Sequence, residues 1–343
     1  MNPSDPRFSQ LTVWLSSLPA ALGLDLASLA PASSDASFRR YFRVMSAQGT
    51  RIVMDAPPAH EDCAPFVKIA TMLRDGGVNA PQILAQDVEQ GFLLLTDLGT
   101  RTYYDCIQAG VPARDLQAMY ADTLDALVKM QQIPADGLPP YSAARFAEEL
   151  TVFPEWYVAR HHGVALDDDT RNALQGVFDT LSAASAAGPR VLVHRDFHSP
   201  NLVLAESPQN GANPGVIDFQ DALHGPLAYD VASLVMDART TWEEPQQLDW
   251  AIRYWERARA AGLPVDSDFS VFHREYEWIG LQRNLRILGV FARLNHRDNK
   301  PGYLNHMPRV NQYVRQVAQR YEAFTPLRRL LDRLDQVTVG YTF

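Results

Sequence analysis

The sequence predicts an α+β protein, with a small β-rich N-terminal lobe followed by a larger helical lobe. Up to about residue 98, runs of β-branched and aromatic residues are bounded by turn residues, which is typical of strands. Beyond residue 100 the apolar residues recur at helical spacing instead. The 343 residues suffice for two hydrophobic cores. We therefore predict one lobe over residues 1–98 and a second over residues 99–343.

Apolar periodicity divides the first lobe into helices and strands. Helices are predicted over residues 6–18 and 61–75, the second of which ends at Gly76-Gly77. Strands are predicted around residues 38–44, 51–55, 83–85 and 92–95. In the second lobe, helices are predicted around residues 119–130, 146–160, 170–185, 230–235 and 272–294.

Composition limits the classes of partner. The formal net charge is −9 and no dense block of Lys and Arg occurs, so we expect no nucleic-acid partner. No run of 18 apolar residues occurs, and the N-terminus lacks a basic stretch before an apolar core, so we expect neither a membrane span nor a signal peptide. The two cysteines have no metal-binding spacing. A reduced cytoplasmic setting is the simplest interpretation of these cysteines, and we expect a monomer.

The stretch 194–201, HRDFHSPN, lies between short apolar runs that predict strands. A loop over residues 207–215, rich in Pro, Asn and Gly, predicts a hairpin between the second and third of these strands. Such a hairpin folds Asp218 back alongside Asn201, with Asp196 on the loop just before it. Three oxygen-bearing side chains are therefore expected to converge at one edge of a small sheet.

This trio suits phosphoryl transfer, in which the protein positions a highly charged group and neutralises it through Mg²⁺. Mg²⁺ prefers oxygen ligands and usually takes only one or two carboxylates together with substrate phosphates. We therefore expect Asn201 and Asp218 to bind the metal. Asp196 is then left to accept the proton of the attacking hydroxyl.

The pattern H-x-D-x-H-x-x-N, followed by I-D-F, Gly225-Pro226 and Tyr229-Asp230, resembles the aminoglycoside phosphotransferase superfamily, whose fold is protein-kinase-like. The resemblance implies ATP as co-substrate, Mg²⁺ as cofactor and a structural role for Asp230. It also implies a loop that covers the nucleotide phosphates, a cation near it, and a hinge that faces adenine. The residues so implicated are Ser34, Asp35, Ser37 and Arg43, and at the hinge Thr96, Asp97 and Leu98.

One departure from the family pattern concerns the third strand, which usually carries a Lys or Arg for the α- and β-phosphates. The matching position here is Met54. Another cation is expected to substitute, and the candidates are Arg40, Arg43 and Arg51. Glu61, at the start of the second predicted helix, could pair with such a cation, although a solvated carboxylate is the favoured interpretation.

The acceptor side is predicted from the resemblance and from one helix. His198 and Asp221 are expected to line the acceptor site, with a purely structural role for Asp221 as the alternative. Helical spacing places Arg283, Arg286 and Arg293 on one face of the predicted helix over residues 272–294. This face could contact an anionic acceptor, or its arginines could form ion pairs at the edge of the core.

Further segments resemble the anomeric N-acetylmuramate and N-acetylglucosamine kinases of Gram-negative cell-wall recycling. These segments are DASFRRYF at 35–42, DAPP at 55–58, DFQD at 218–221, QRNL at 282–285 and KPGY at 300–303. The resemblance implies phosphorylation of the C1 hydroxyl of the sugar. An arginine could bind the lactyl carboxylate of N-acetylmuramate in bidentate fashion, and we assign this role to Arg283.

Two alternatives stay open. The first is a kinase of the same fold with another acceptor, such as an aminoglycoside, homoserine or choline. The second is a nucleotide-binding module without catalytic activity, which Met54 supports and which Asp196, Asn201 and Asp218 oppose.

Overall fold

The computed structural model describes residues 5–33, 38–207 and 210–339. Backbone contacts divide the chain into two compact units. The first unit comprises Met1–Cys106 and Pro200–Asp221, and the second comprises Ile107–Ser199 and Ala222–Phe343. The two functional lobes predicted with a boundary at residue 98 stay a prediction, because these units follow contacts alone.

The first unit is built on one antiparallel sheet with short helices. Its helices are α1 (Pro6–Ser17), a 3-10 turn (Ala20–Leu22), α2 (Ala64–Asp75) and the start of α3 (Tyr103–Gln108). Its strands are β1 (Asp25–Ser33), β2 (Arg40–Ser46), β3 (Gly49–Asp55), β4 (Ile83–Asp87) and β5 (Phe92–Thr96), followed later in the chain by β7 (Leu202–Val203) and β8 (Gly215–Val216).

Five of these strands form a sheet in the order β1-β2-β3-β5-β4. The sequence prediction missed β1, whose residues DLASLAPAS include few β-branched or aromatic side chains. β1 is an edge strand, and this position accommodates Pro31, which has no backbone N–H to donate. The helix predicted over residues 61–75 begins instead at Ala64.

The two faces of the sheet differ in their partners. One face packs against α1 in a core cluster of Leu11, Trp14, Leu15, Leu29, Phe42, Val44, Val53, Phe92 and Leu94. Because side chains alternate along a strand, Arg43, Ile52 and Met54 lie on the opposite face. The face that carries Met54 is therefore the one that carries Arg43.

A buried cluster of ion pairs lies at the end of β3, on the face of the sheet that packs against α1. Asp55 is fully buried and accepts hydrogen bonds from Arg7 Nε at 2.8 Å and Arg40 Nε at 2.9 Å. Arg40 also pairs with Asp5. Arg40 thus points toward α1, where its charge is neutralised by two carboxylates.

The second unit is mostly helical. Its helices are α4 (Ala113–Gln131), α5 (Ala143–Leu150), a π-helix (Phe153–His161), α6 (Asp168–Ala187), α7 (Ala228–Val235), α8 (Glu244–Ala260), α9 (Phe269–His296), α10 (Met307–Arg320) and α11 (Thr325–Val339). Shorter 3-10 turns lie at Ser199–Asn201, Pro301–His306 and Glu322–Phe324. Strands β6 (Arg190–Val193) and β9 (Leu223–Pro226) pair antiparallel.

The long helix α9 lies at the centre of this unit and packs against the π-helix, α6, α7 and α10. At Gly289 a Cβ atom would lie 2.5 Å from the backbone of Val152, so only glycine permits this close crossing.

The prediction of a single helix over residues 146–160 is wrong. α5 ends at Leu150, because Pro154 has no N–H to continue its hydrogen-bond ladder, and a π-helix follows. Within the described residues, no helix combines the length and apolar character that crossing a bilayer requires.

The cluster around Asp55 gives a prediction about stability. Asp55→Ala leaves Arg7 and Arg40 without their buried partner and should destabilise the protein by about 3 kcal/mol. Urea unfolding followed by circular dichroism measures this loss. Glu89→Ala, which removes an exposed carboxylate from the β4–β5 turn, is the matched control. Equal midpoints for the two variants would contradict a role for this cluster in stability.

Candidate active site

The predicted hairpin after Asn201 is present in the first unit. Leu202 pairs with Val216 and Val203 with Gly215, and Ile217 donates its N–H to the carbonyl of Asn201 at 3.1 Å. This pairing brings Asn201 beside Asp218, so that Asn201 Nδ2 donates to Asp218 Oδ2 at 3.2 Å. The predicted juxtaposition of these two side chains is confirmed.

Asp218 lies in an unusual backbone conformation. Its φ is +63°, a left-handed conformation that residues other than glycine seldom adopt. Such strain persists where the surrounding structure enforces it and often marks a functional site. Phe219 anchors the adjoining position, because its ring packs against Phe66 of α2 with ring centroids 4.9 Å apart.

The donor set at Asn201 and Asp218 fits Mg²⁺. An amide oxygen and a carboxylate are hard oxygen ligands, and Gln220 Nε2 holds the other carboxylate oxygen of Asp218 at 2.9 Å. Within the described residues, no group of three or more His, Cys, Asp or Glu side chains is arranged to hold a metal ion. This pair therefore suits a metal that takes its other ligands from water and substrate phosphates.

In the second unit, Asp230 at the start of α7 holds the backbone that leads to Asp196. Its carboxylate accepts the N–H groups of His194 at 2.7 Å and of Arg195 at 3.0 Å. Arg195 has a φ of +78°, so this turn is also strained. Burial raises the pKa of Asp230 to about 6, despite the hydrogen bonds and the nearby His194, which lower it. The structural role predicted for Asp230 agrees with this arrangement.

The carboxylate of Asp196 stays ionised because of the arginines around it. Burial acts to raise its pKa, but nearby positive charge outweighs burial, and the pKa is lowered from its ordinary value. The arginine charges that lower the pKa belong, in decreasing order, to Arg286, Arg283 and Arg195, and His198 adds to them only when it is protonated. Asp196 is therefore ionised at neutral pH.

Glu149 of α5 neutralises part of this positive charge. Its carboxylate accepts hydrogen bonds from Arg195 Nη2 at 2.7 Å and from the hydroxyl of Tyr141 at 2.5 Å. Arg286 Nε lies 3.7 Å from the same carboxylate. Two roles were considered for the arginines of α9, namely contact with an anionic acceptor or ion pairs at the edge of the core. Arg286 has such an ion pair. The sequence analysis missed Glu149, which no motif marks.

His198 is buried beside two charged groups. Its backbone N–H donates to the carbonyl of Asp196 at 3.1 Å, and its Nδ1 lies 3.5 Å from Arg239 Nη1. Burial lowers its pKa to about 4, so the imidazole is neutral at physiological pH. Next to it, buried Asp237 accepts a hydrogen bond from the hydroxyl of Ser199 at 2.5 Å.

Arg283 differs from the other arginines near Asp196. It lies on α9 with only 5% of its surface exposed. Within the described part of the chain, its Nε and Nη1 atoms have no hydrogen-bond partner. Burying unsatisfied guanidinium donors is costly, so this side chain is suited to an anionic ligand.

The nucleotide-binding prediction divides into described and undescribed positions. Ser34, Asp35 and Ser37 lie outside the described residues. Arg43 donates to both carboxylate oxygens of buried Asp97, at 2.6 and 3.2 Å, and to the carbonyl of Gly99 at 3.1 Å. Arg43 therefore fixes the segment that was predicted as the hinge.

Other backbone groups of the predicted hinge also have partners. Thr96 donates its N–H to the carbonyl of Gln82 at 3.0 Å, and the carbonyl of Asp97 accepts from Asn210 Nδ2 at 3.1 Å. Leu98 is buried. Asp221 is exposed in the turn after Asp218. The roles assigned to Thr96, Asp97, Leu98 and Asp221 stay predictions.

The sequence analysis also missed Arg39. Arg39 Nη2 lies 3.0 Å from Glu61 Oε2, and the two side chains are only 12% and 15% exposed. The prediction of a solvated carboxylate at Glu61 is therefore wrong. The alternative considered for Glu61, a pair with a cation, is the one that the structure shows, although Arg39 was not among the cations considered.

Full-length relatives are named for one activity. The chain is 45% identical over 340 residues to an N-acetylmuramate/N-acetylglucosamine kinase of Pseudomonas aeruginosa, with 97% of this chain and 98% of the relative covered. It is 41% identical over 342 residues to a protein of the same name from Neisseria meningitidis, with 98% and 99% covered.

Solved structures share the fold at low sequence identity. A choline/ethanolamine kinase family protein from Mesorhizobium loti superposes with a TM-score of 0.61 at 13% identity, covering 95% of this chain and 99% of that one. An aminoglycoside 2'-phosphotransferase-IIIa, solved as its GDP complex, superposes with a TM-score of 0.59 at 13% identity, covering 92% and 100%. The predicted α+β, protein-kinase-like fold of the aminoglycoside phosphotransferases is thereby confirmed.

The family model of the phosphotransferase enzymes matches residues 28–265, which is well over half of the chain. The match includes the stretch 194–201 and Asp218, from which phosphoryl transfer was predicted. Together with the full-length relatives, it shows that this chain belongs to the phosphotransferase enzyme family.

Proposed function

We propose that this chain phosphorylates the anomeric C1 hydroxyl of N-acetylmuramate and N-acetylglucosamine, with ATP as the phosphoryl donor and Mg²⁺ as cofactor. The observation that carries the proposal is the full-length similarity to kinases named for these two sugars. The product would be a sugar 1-phosphate. Peptidoglycan recycling is the setting we propose for this reaction.

Asp196 is the proposed general base. Its lowered pKa keeps it ionised, so it can accept the proton of the C1 hydroxyl as the hydroxyl oxygen attacks the γ-phosphorus. The bond from that phosphorus to the bridging oxygen of ADP then breaks, and ADP departs. An anomeric hydroxyl is more acidic than an ordinary alcohol, so a single carboxylate base suffices. The neutral imidazole of His198 is proposed to contact the acceptor. The backbone N–H of His198 donates to the backbone carbonyl of Asp196.

Asn201 and Asp218 are the proposed metal ligands. When bound, Mg²⁺ would neutralise negative charge on the phosphates during transfer. Gln220 keeps the carboxylate of Asp218 oriented, and the hairpin keeps Asn201 beside it. The proposed nucleotide contacts at the hinge Thr96–Leu98 are those predicted from the resemblance, and Arg43 is proposed to support them by holding Asp97 and Gly99 in place.

Arg283 is proposed to bind the lactyl carboxylate of N-acetylmuramate. It is buried, two of its donors have no partner among the described residues, and its charge acts on Asp196. A guanidinium can bind a carboxylate with two parallel hydrogen bonds. The same positive charge would repel a polycation such as an aminoglycoside, which makes that acceptor class the weaker alternative.

The first prediction concerns the reaction itself. Phosphorus NMR of the protein with Mg·ATP and either sugar should show a new phosphate signal coupled to the anomeric proton. Asp196→Asn should abolish this signal while binding of Mg·ADP changes less than about threefold, because the amide cannot accept the proton. Release of ADP with a different acceptor only would refute the sugar assignment. Substantial turnover by Asp196→Asn would refute the role of the base.

The second prediction concerns the choice of sugar. Arg283→Ala should lower kcat/KM for N-acetylmuramate by roughly 10- to 100-fold more than for N-acetylglucosamine, because only the first sugar carries a carboxylate. Steady-state kinetics with both sugars measure the ratio. Arg274→Ala, an exposed arginine on the same helix, is the matched control and should leave the ratio unchanged. Equal losses on both sugars would contradict the assignment.

A further inference from the structure

The position at which this family usually carries a phosphate-binding cation is apolar in this chain. Met54 of β3 is fully buried and cannot neutralise a phosphate. Phosphoryl transfer depends on positive charge at the nucleotide phosphates. In protein kinases a lysine on the third strand, paired with a glutamate of the following helix, supplies this charge at the α- and β-phosphates. A kinase with Met54 therefore needs a cation from another position in the first unit.

Two of the three cations predicted as substitutes lie away from the face that carries Met54. Arg40 points toward α1 and is neutralised by Asp55 and Asp5. Arg51 is paired across the sheet with Val44, whose side chain belongs to the α1 core, and it bonds to Gln48. Neither arginine is placed to take over from Met54.

Arg43 does lie on the face of Met54, but its guanidinium is already engaged. Three hydrogen bonds join it to the Asp97 carboxylate and to the Gly99 carbonyl. Asp97 is almost fully buried, so removing Arg43 from it would leave a buried carboxylate uncompensated. Arg43 is therefore suited to hold the Asp97 segment rather than to neutralise phosphates.

Arg39 meets the requirement. It directly precedes β2, next to Arg40, whose side chain points toward α1. It forms a close ion pair with Glu61, which precedes α2, and Phe66 of α2 contacts Phe219 beside Asp218. A cation next to the sheet and a carboxylate before the next helix thus form a pair like the lysine–glutamate pair of protein kinases.

A second contact holds Arg39 against this segment. The ring of Phe38 stacks on His60 with centroids 4.3 Å apart and an interplanar angle of 17°. Two consecutive residues before β2 thus contact two consecutive residues before α2. A guanidinium is planar and binds phosphate with parallel hydrogen bonds, so an arginine held in this way is suited to a nucleotide phosphate.

We propose that Arg39 is the nucleotide-phosphate-binding cation of this kinase, in place of the residue missing at Met54, and that Glu61 is its positioning residue. The proposal rests on the proposed nucleotide-dependent phosphoryl transfer but not on the identity of the sugar. Arg39 would contact the α- and β-phosphates of the nucleotide. Glu61 would act only through Arg39.

The test compares nucleotides with and without phosphates. Arg39→Gln should weaken binding of Mg·ADP roughly 10- to 100-fold by isothermal titration calorimetry and leave binding of adenosine within twofold, because only the phosphates lose a partner. Arg39→Lys should recover part of the affinity. Arg51→Gln is the matched control and should bind both ligands like the wild type. Unchanged binding of Mg·ADP by Arg39→Gln, or equal weakening of both ligands, would overturn the proposal.

A double-mutant cycle tests Glu61. Glu61→Gln should weaken Mg·ADP several-fold in the wild-type background and cause no further loss when Arg39 is already Gln. Additive losses would overturn the positioning role, and if Arg39→Gln failed to fold, Arg39→Met, which also removes the charge, would replace it in the cycle. Arg39-dependent binding of Mg·ADP by a protein that phosphorylates neither sugar would refute the proposed function alone. Sugar phosphorylation with unchanged binding in Arg39→Gln would refute this inference alone.

Discussion

The buried carboxylate of Asp230 is the interaction on which the arrangement around Asp196 depends. It accepts two consecutive backbone N–H groups and so holds Arg195 in a strained, left-handed conformation. Burying a carboxylate is costly, and its raised pKa reflects that cost. Two hydrogen bonds offset this cost, because without Asp230 two buried N–H groups would lose their partner and the turn would be free to relax. Its position on α7 therefore determines the direction of Asp196.

The strained turn also decides where the charges of the second unit lie. It directs the Arg195 side chain to Glu149, which Arg286 approaches as well. One carboxylate thus partly neutralises two arginines and leaves Arg283 with unsatisfied donors among the described residues. The remaining positive charge lowers the pKa of Asp196. A carboxylate surrounded in this way is ionised at neutral pH, which is consistent with the base proposed for a neutral or anionic acceptor.

Sequence patterns predicted those parts of the structure that depend on neighbours along the chain. The hairpin that joins Asn201 to Asp218, the helical character beyond residue 100 and the α+β class all follow from periodicity and turn chemistry. The parts that were missed depend on distant residues. β1 is stabilised by pairing with β2 rather than by its own propensity, and the contacts of Glu149 and Arg39 join residues far apart in the chain. The spacing of residue types along the sequence does not show which distant carboxylate pairs with a given arginine.

The distribution of positive charge in the first unit also explains why Met54 is weak support for a module without catalytic activity. The requirement of phosphoryl transfer is positive charge near the phosphates, and this requirement does not specify the strand that supplies it. On β2, Arg40 and Arg43 each have a buried carboxylate as a partner. Arg39 instead pairs with Glu61, whose side chain is 15% exposed. The role proposed for Arg39 would supply positive charge without a cation at position 54, so Met54 alone does not favour the inactive module.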